Sequence, residues 1–164
     1  MKTINVLIAG AERRASNIVQ SVILDVCYNR AAVNFVHTAR VDELQSLGSR
    51  EGFEFVVVNT AHLMAEPSRR GGQVRRDEIL RAIGFIRCTR TVPVLAFGCA
   101  PGEEPLFQEA GANAVLGRMW ERETLAAEVR QLLQMPAVAE PQEAPVRGLF
   151  SAILGRSLNL LKNA

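Results

Sequence analysis

The sequence predicts an α/β domain with a doubly wound, five-stranded parallel sheet, followed by a linker and a C-terminal amphipathic helix. Short apolar runs alternate five times with segments whose apolar residues recur at helical spacing. The runs are continuously apolar, as expected for parallel strands that are covered on both faces. The chain has 164 residues, 48% of them hydrophobic and 22% charged, which suits one globular domain with some additional chain.

The first half of the domain contains three predicted strands, at residues 4–10, 32–38 and 53–59. The first two are each followed by a predicted helix, at residues 11–27 and 40–48. The third strand, FEFVVVN, ends in an amide residue at a position where many α/β proteins place a functional carboxylate. A loop rich in Arg and Gly is predicted to follow it.

The second half continues the same alternation. Predicted helices at residues 75–88, 103–111 and 121–133 flank predicted strands at 92–98 and 113–118. Right-handed crossovers between parallel strands then place helices on both faces of the sheet. In such sheets the functional site lies at the carboxyl ends of the strands.

The composition changes after this domain, which is predicted to span residues 1–134. Residues 135–146 are rich in Pro, Ala and Glu and predict an extended linker. Residues 147–164 predict an amphipathic helix without acidic residues. Its apolar face comprises Leu149, Phe150, Ile153, Leu154, Leu158, Leu160 and Leu161. Such a cationic helix can lie on a membrane surface, enter a groove of a partner, fold back on its own domain, or pair with the same helix of a second copy.

Bulk properties exclude several classes of protein. The net charge of +2 argues against nucleic acid as a partner. Cys27, Cys88 and Cys99 are scattered and odd in number, so they predict neither a disulfide framework nor a metal site but fit a reducing cytoplasm. Cys27 and Cys88 fall in helical patterns and are predicted to pack in the core. No signal peptide or membrane-spanning segment is predicted.

The order of these segments resembles a response-regulator receiver domain, the phosphoacceptor module of two-component signalling, over roughly residues 3–134. VLIAGAE resembles the first strand of that family, FEFVVVN the third and VPVLAFG the fourth, while EAGANAVLGRMW is the closest local match. The resemblance implies a flavodoxin-like or receiver-like fold.

The residues that carry the chemistry of the family are replaced. The acidic pair corresponds to Gly10 and Ala11, with Glu12 the nearest remaining acid. The phosphoacceptor Asp corresponds to Asn59, the hydroxyl residue to Gly98 and the Lys to Arg118. The resemblance therefore implies a degenerate pocket, a pseudo-receiver.

This loss has a direct chemical consequence. An amide has no anionic oxygen with which to attack phosphorus, and Mg²⁺ requires carboxylate ligands. We therefore expect no catalytic residue, no metal and no cofactor, and we expect a signalling or adaptor module that acts through protein contacts without Asp phosphorylation. Two alternatives stay open: a small-ligand or nucleotide-binding α/β protein that uses the strand-end glycines, and an orthodox response regulator in a phosphorelay.

Partner-binding residues are predicted on two surfaces. In the receiver family the fourth helix, fifth strand and fifth helix form the usual dimer and partner face, which here corresponds to Phe107, Val115, Trp120 and Arg122. The second surface is the apolar face of the tail, which would also account for any membrane association. An Arg-rich segment around the third predicted helix could bind an acidic partner, but a solvated face explains it equally simply.

Overall fold

The computed structural model describes residues 2–10, 13–65 and 72–134, which form five strands and six helices. The predicted linker and tail, including Leu149, Phe150, Ile153, Leu154, Leu158 and Leu161, lie outside the described residues. In chain order the elements are β1 (Lys2–Ala9), α1 (Arg13–Cys27), β2 (Ala31–Thr38), α2 (Val41–Gly48), β3 (Phe55–Asn59), α3 (Thr60–Ala65), α4 (Gly72–Thr89), β4 (Val94–Cys99), α5 (Glu104–Glu109), β5 (Ala114–Gly117) and α6 (Arg122–Leu132).

The five strands form one parallel sheet in the order β2-β1-β3-β4-β5. This confirms the predicted doubly wound sheet. Every residue of β3 and of β4 is buried, which explains why their sequences are continuously apolar.

Two apolar layers enclose the sheet. The residues of β1 alternate between them: Val6 and Ile8 face α1 and α6, whereas Leu7 and Ala9 face α2 to α5. Because side chains of a strand point alternately to its two faces, each layer receives every second residue of a central strand. The carboxyl ends of the central strands are thereby fixed in position by packed apolar layers on both faces of the sheet.

Two local predictions were wrong. Residues 60–65 are helical, so His62 lies on α3 and not in a loop. Cys88 is exposed on the outer face of α4, whereas Cys27 is buried as predicted. Position 88 lies in the last turn of α4, beyond Ile86, which is the last buried residue of that helix.

None of the helices formed by the described residues is long and apolar enough to cross a lipid bilayer.

Candidate functional site

The carboxyl edge of the sheet brings together the strand ends that the sequence singled out. Gly10 follows β1, Asn59 ends β3, Gly98 lies in the last part of β4 and Arg118 follows β5. Gly10, Asn59 and Gly98 make direct contacts with one another or with the start of α3. Arg118 is exposed. Ala11 and Glu12 lie outside the described residues.

Asn59 acts as the N-cap of α3. Its side chain is only 3% exposed, and its Oδ1 accepts a hydrogen bond of 3.2 Å from the backbone N–H of His62. The helix begins at the next residue, so this is the bond from the third helical residue that a cap normally accepts. An amide oxygen used in this way is committed to the fold of the chain.

Thr60 fastens the start of α3 to β4. Its buried Oγ1 donates a 3.0 Å hydrogen bond to the backbone carbonyl of Phe97 and lies 3.6 Å from Sγ of Cys99. Sequence reasoning missed this residue, although an Asn-Thr pair directly before a segment free of Gly and Pro is a recognisable helix start. The helix therefore begins at the end of β3 with no intervening loop.

Two glycines lie close to Asn59 and α3 at the carboxyl ends of β1 and β4. Gly10 has φ +81°, and a Cβ built on it would lie 2.6 Å from the backbone oxygen of Asn59. Gly98 has φ +80°, and its Cβ would lie 3.1 Å from Cβ of Ala61 and 3.3 Å from Oδ1 of Asn59. A side chain at either position would meet neighbouring chain at less than comfortable van der Waals distance. Both positions are therefore suited to glycine, with Gly10 the more tightly constrained.

The described residues contain no group of three His, Cys, Asp or Glu side chains that could hold a metal ion. Cys99 ends β4, one residue after Gly98, and its thiol is buried. Burial raises the pKa of the Cys99 thiol above its ordinary value, and the carboxylates of Glu104 and Glu103 raise it further, while a hydrogen bond with Thr60 opposes them. Cys99 is therefore a protonated thiol at neutral pH and a poor nucleophile.

The predicted partner residues do not form one face. Phe107 is fully buried in the layer between the sheet and α2 to α5, which corrects its assignment to an exposed surface. Val115 is half-buried and packs against the same layer. Trp120 and Arg122 lie on the other side of the sheet, facing α1.

Trp120 and Arg122 are both held in place there. The Trp120 ring meets the Phe97 ring edge-on, with centroids 6.0 Å apart and an interplanar angle of 84°. Arg122 donates a 3.0 Å hydrogen bond to Oγ of Ser21 and forms an ion pair with Asp25, both on α1. The start of α6 is thus tied to α1, and the Trp120 ring before it packs on β4.

A shallow surface cavity of about 470 Å³ opens at this junction. We call it the arginine-rimmed surface, and its residues are Arg14, Ala15, Ile18, Arg118, Met119, Trp120 and Arg122. Met119 is 94% exposed and Ile18 is 46% exposed. Among the described residues its lining contains three guanidinium groups, of which that of Arg122 pairs with Asp25, and no carboxylate, so it combines positive charge with an accessible apolar floor.

The Arg-rich segment is largely engaged within the fold. Arg76 pairs with Glu103 at 3.2 Å, and Arg87 donates a 2.9 Å hydrogen bond to the backbone carbonyl of Val92. Arg90 donates to the backbone carbonyl of Arg50. A cavity of about 640 Å³ between α2 and α4 also contains arginines, but Asp42 and Glu78 line it too and pair with Arg40 and Arg75. The charges of Arg75 and Arg76 are consequently paired within the fold, whereas Arg69 and Arg70 lie outside the described residues.

Within the described part of the chain the two histidines contact Gln20, Phe35 and Asn59. His37 lies on β2, where its Nε2 is 3.2 Å from Nε2 of Gln20 and its ring is 6.5 Å from that of Phe35. His62 contributes its backbone N–H to Asn59.

No known protein-family pattern matches the sequence, and no curated protein matches it either. Solved structures do match. The receiver domain of a sensor histidine kinase from Pseudomonas aeruginosa PAO1, crystallised with magnesium in its active-site cleft, has a TM-score of 0.58 and 12% identity, covering 80% of this chain and 98% of that one. The receiver domain of NtrX from Brucella abortus has a TM-score of 0.56 and 12% identity, with 80% and 99% covered. The chain has the receiver-domain fold.

The same receiver-like fold extends beyond proteins named for phosphorelays. A protein from Burkholderia thailandensis, provisionally named for pilus assembly, has a TM-score of 0.56 and 16% identity, covering 80% of this chain and 98% of that one. At these identities the likeness concerns the fold alone, and the function has to be argued from the residues of this chain.

Proposed function

We propose that this chain is a non-catalytic pseudo-receiver that works as a signalling or adaptor module, through protein contacts that do not depend on Asp phosphorylation. The observation that carries the proposal is the state of Asn59, whose side-chain oxygen is buried and caps α3. A phosphoacceptor needs an ionised carboxylate that phosphorus can reach. The side chain of Asn59 is a neutral amide, and the residue is buried from solvent.

The surrounding strand ends support the same proposal. The receiver domain from Pseudomonas aeruginosa holds magnesium in its active-site cleft. Here Gly10 supplies no side chain, and the contact between Gly10 and the backbone of Asn59 leaves no room for one. The position that would carry a hydroxyl is Gly98, which packs on Ala61. Among the described residues these strand ends offer a divalent cation no cluster of carboxylate ligands.

Exposure to a phosphodonor tests this proposal. We expect full-length protein incubated with acetyl phosphate and Mg²⁺ to show, by intact mass spectrometry, no adduct of one phosphoryl group. We expect the same of Asn59→Asp, because a carboxylate at this position can still cap α3 and remains without metal ligands from β1. An orthodox receiver domain in the same buffer is the positive control.

Each outcome of that experiment is informative. An adduct on the wild-type chain would contradict the proposal and revive the response-regulator alternative. An adduct on Asn59→Asp alone would support the loss of the nucleophile and refute the loss of the metal site.

Among the described residues, the arginine-rimmed surface is the candidate that best suits docking of a protein partner. Arg122 is paired with Asp25, but Arg14 and Arg118 add positive charge that favours an acidic segment, and exposed Met119 and Ile18 favour an apolar anchor within that segment. Arginine is suited to this role because its planar fork can bind carboxylates with two hydrogen bonds. The predicted tail would act as a second docking element.

Site-specific photo-crosslinking tests this face. We expect a photoreactive residue at Met119 of the full-length chain to capture a protein partner in cells, and the added substitution Arg118→Glu to reduce the yield severalfold. A photoreactive residue at Leu106, which is 37% exposed on α5, is the matched control and should not capture that partner. Equal capture from both positions, or a yield indifferent to Arg118→Glu, would rule out this face.

A further inference from the structure

The two edges of the sheet differ in how well they are protected. β5 has only four residues, and its pairing with β4 is irregular between Phe97 and Cys99. β2 has eight residues, all of which pair in regular register with β1. Among the described residues, no segment pairs with the outer side of β2. This side presents a long row of backbone donors and acceptors.

The sequence of β2 lacks the features that usually keep an edge strand from pairing. Natural sheets protect their edges with charged side chains, proline, bulges or very short strands. β2 reads AAVNFVHT and contains no Asp, Glu, Lys, Arg or Pro. Charges appear only beyond its ends, at Arg30 and Arg40. The edge is therefore suited to accept another strand.

Exposed apolar side chains lie near this edge on both faces of the sheet, since Val36 points away from the α1 face on which Val33 and Phe35 pack. Val36 of β2 is 39% exposed, Leu24 of α1 is 48% exposed and Tyr28 is 74% exposed. The 3.2 Å contact between Gln20 and His37 shows which side of α1 adjoins β2. Leu24 lies one turn after Gln20 on that side, and Tyr28 follows one turn later at the end of the helix. Pairing at the edge would cover these side chains as well as the backbone.

We propose that β2 pairs antiparallel with β2 of a second copy of this chain, so that two five-stranded sheets become one continuous sheet. A second copy suits the edge because the strand is uncharged and meets no like-charge repulsion from its own image. A two-fold axis also closes the assembly, since each copy has only one such edge. This inference is independent of the proposed function and concerns another part of the surface.

The side chains of β2 select the register. A two-fold axis through Phe35 would place Val33 opposite His37 and Val36 opposite Asn34 of the second copy, so that both valines would meet polar side chains. An axis through Asn34 avoids this. It places Asn34 opposite its own image, Val33 opposite Phe35 and Ala32 opposite Val36, and such pairs of an aromatic with a β-branched side chain are favourable.

Sedimentation of the full-length protein tests the proposal. We expect a species of twice the 18.0 kDa chain mass at micromolar concentration. Asn34→Lys places two ammonium groups at the two-fold axis and should weaken dimerisation about tenfold or more, which equals about 1.4 kcal/mol or more. Ala127→Lys adds the same charge at an exposed position of α6 and should leave the dimer intact. Circular dichroism should show both variants folded.

A cross-link tests the register directly. In a Cys88→Ser background the two remaining native cysteines are buried, so a new thiol reports on its own surroundings. Paired antiparallel strands place opposite Cα atoms about 4.5–5.5 Å apart, within the range of a disulfide. We expect Asn34→Cys to form a covalent dimer on mild oxidation and Ala127→Cys to form none.

Three results would overturn the proposal. The first is a chain that stays monomeric at high concentration, which would leave the edge to a strand of another protein or to residues outside those described. The second is a dimer unaffected by Asn34→Lys, which would place the interface elsewhere. The third is the absence of a disulfide-linked dimer with Asn34→Cys.

Discussion

Gly10→Ala is expected to destabilise the domain by about 2–4 kcal/mol and to lower its melting temperature on the order of 10 °C. Two costs add at this position. A φ of +81° is unfavourable for a residue with a Cβ, by about 1–2 kcal/mol. The new Cβ would also lie 2.6 Å from the backbone oxygen of Asn59, which has no rotamer by which to move away.

The matched control for this substitution is Gly102→Ala. Gly102 has a nearly equal φ of +85°, but nothing lies within 4 Å of its built Cβ. It should therefore lose only the backbone cost of about 1–2 kcal/mol. Urea unfolding of both full-length variants gives the two free energies, and the difference between them measures the contact with Asn59. Equal losses would show that the strand ends of β1 and β3 are less closely packed than described here.

That result bears on function as well as stability. The position of Gly10 corresponds, by resemblance, to one of the acids of a receiver domain. If even a methyl group is costly there, the chain cannot recover a metal ligand by a single substitution.

Phe107→Ala is expected to destabilise the domain by about 3–5 kcal/mol, the usual cost of truncating a buried phenylalanine. Phe107 is fully buried among the apolar residues that α4, α5 and the sheet contribute, so the variant leaves a large cavity. The resemblance to receiver domains had placed this residue on a partner face. A loss of stability at this position would support its place in the core.

Leu106→Ala is the neighbouring control on the same helix. Leu106 is 37% exposed, so we expect a loss of about 1 kcal/mol or less. Urea unfolding of the two variants should separate them clearly. A Phe107→Ala variant with wild-type stability and reduced partner capture would instead restore the original assignment.

Much of the fold could be predicted because its signals are local. The continuous apolar runs at β3 and β4 indicated strands covered on both faces, and both strands are fully buried. The helical spacing of Leu125 and Val129 likewise matches their burial on α6. In each case the pattern reports directly on how many faces of an element are covered.

The sequence by itself determined the class of the fold and the residue types at its strand ends, including an amide where a receiver domain carries its phosphoacceptor. Only the tertiary structure decided what those residues do: that Asn59 caps α3, that Gly10 and Gly98 pack on the chain, and that Trp120 and Arg122 face α1. The physical reason is the separation along the chain of the residues that interact. Periodicity depends on residues within one element, whereas each of these contacts, apart from the cap itself, joins segments that meet only once the sheet has formed.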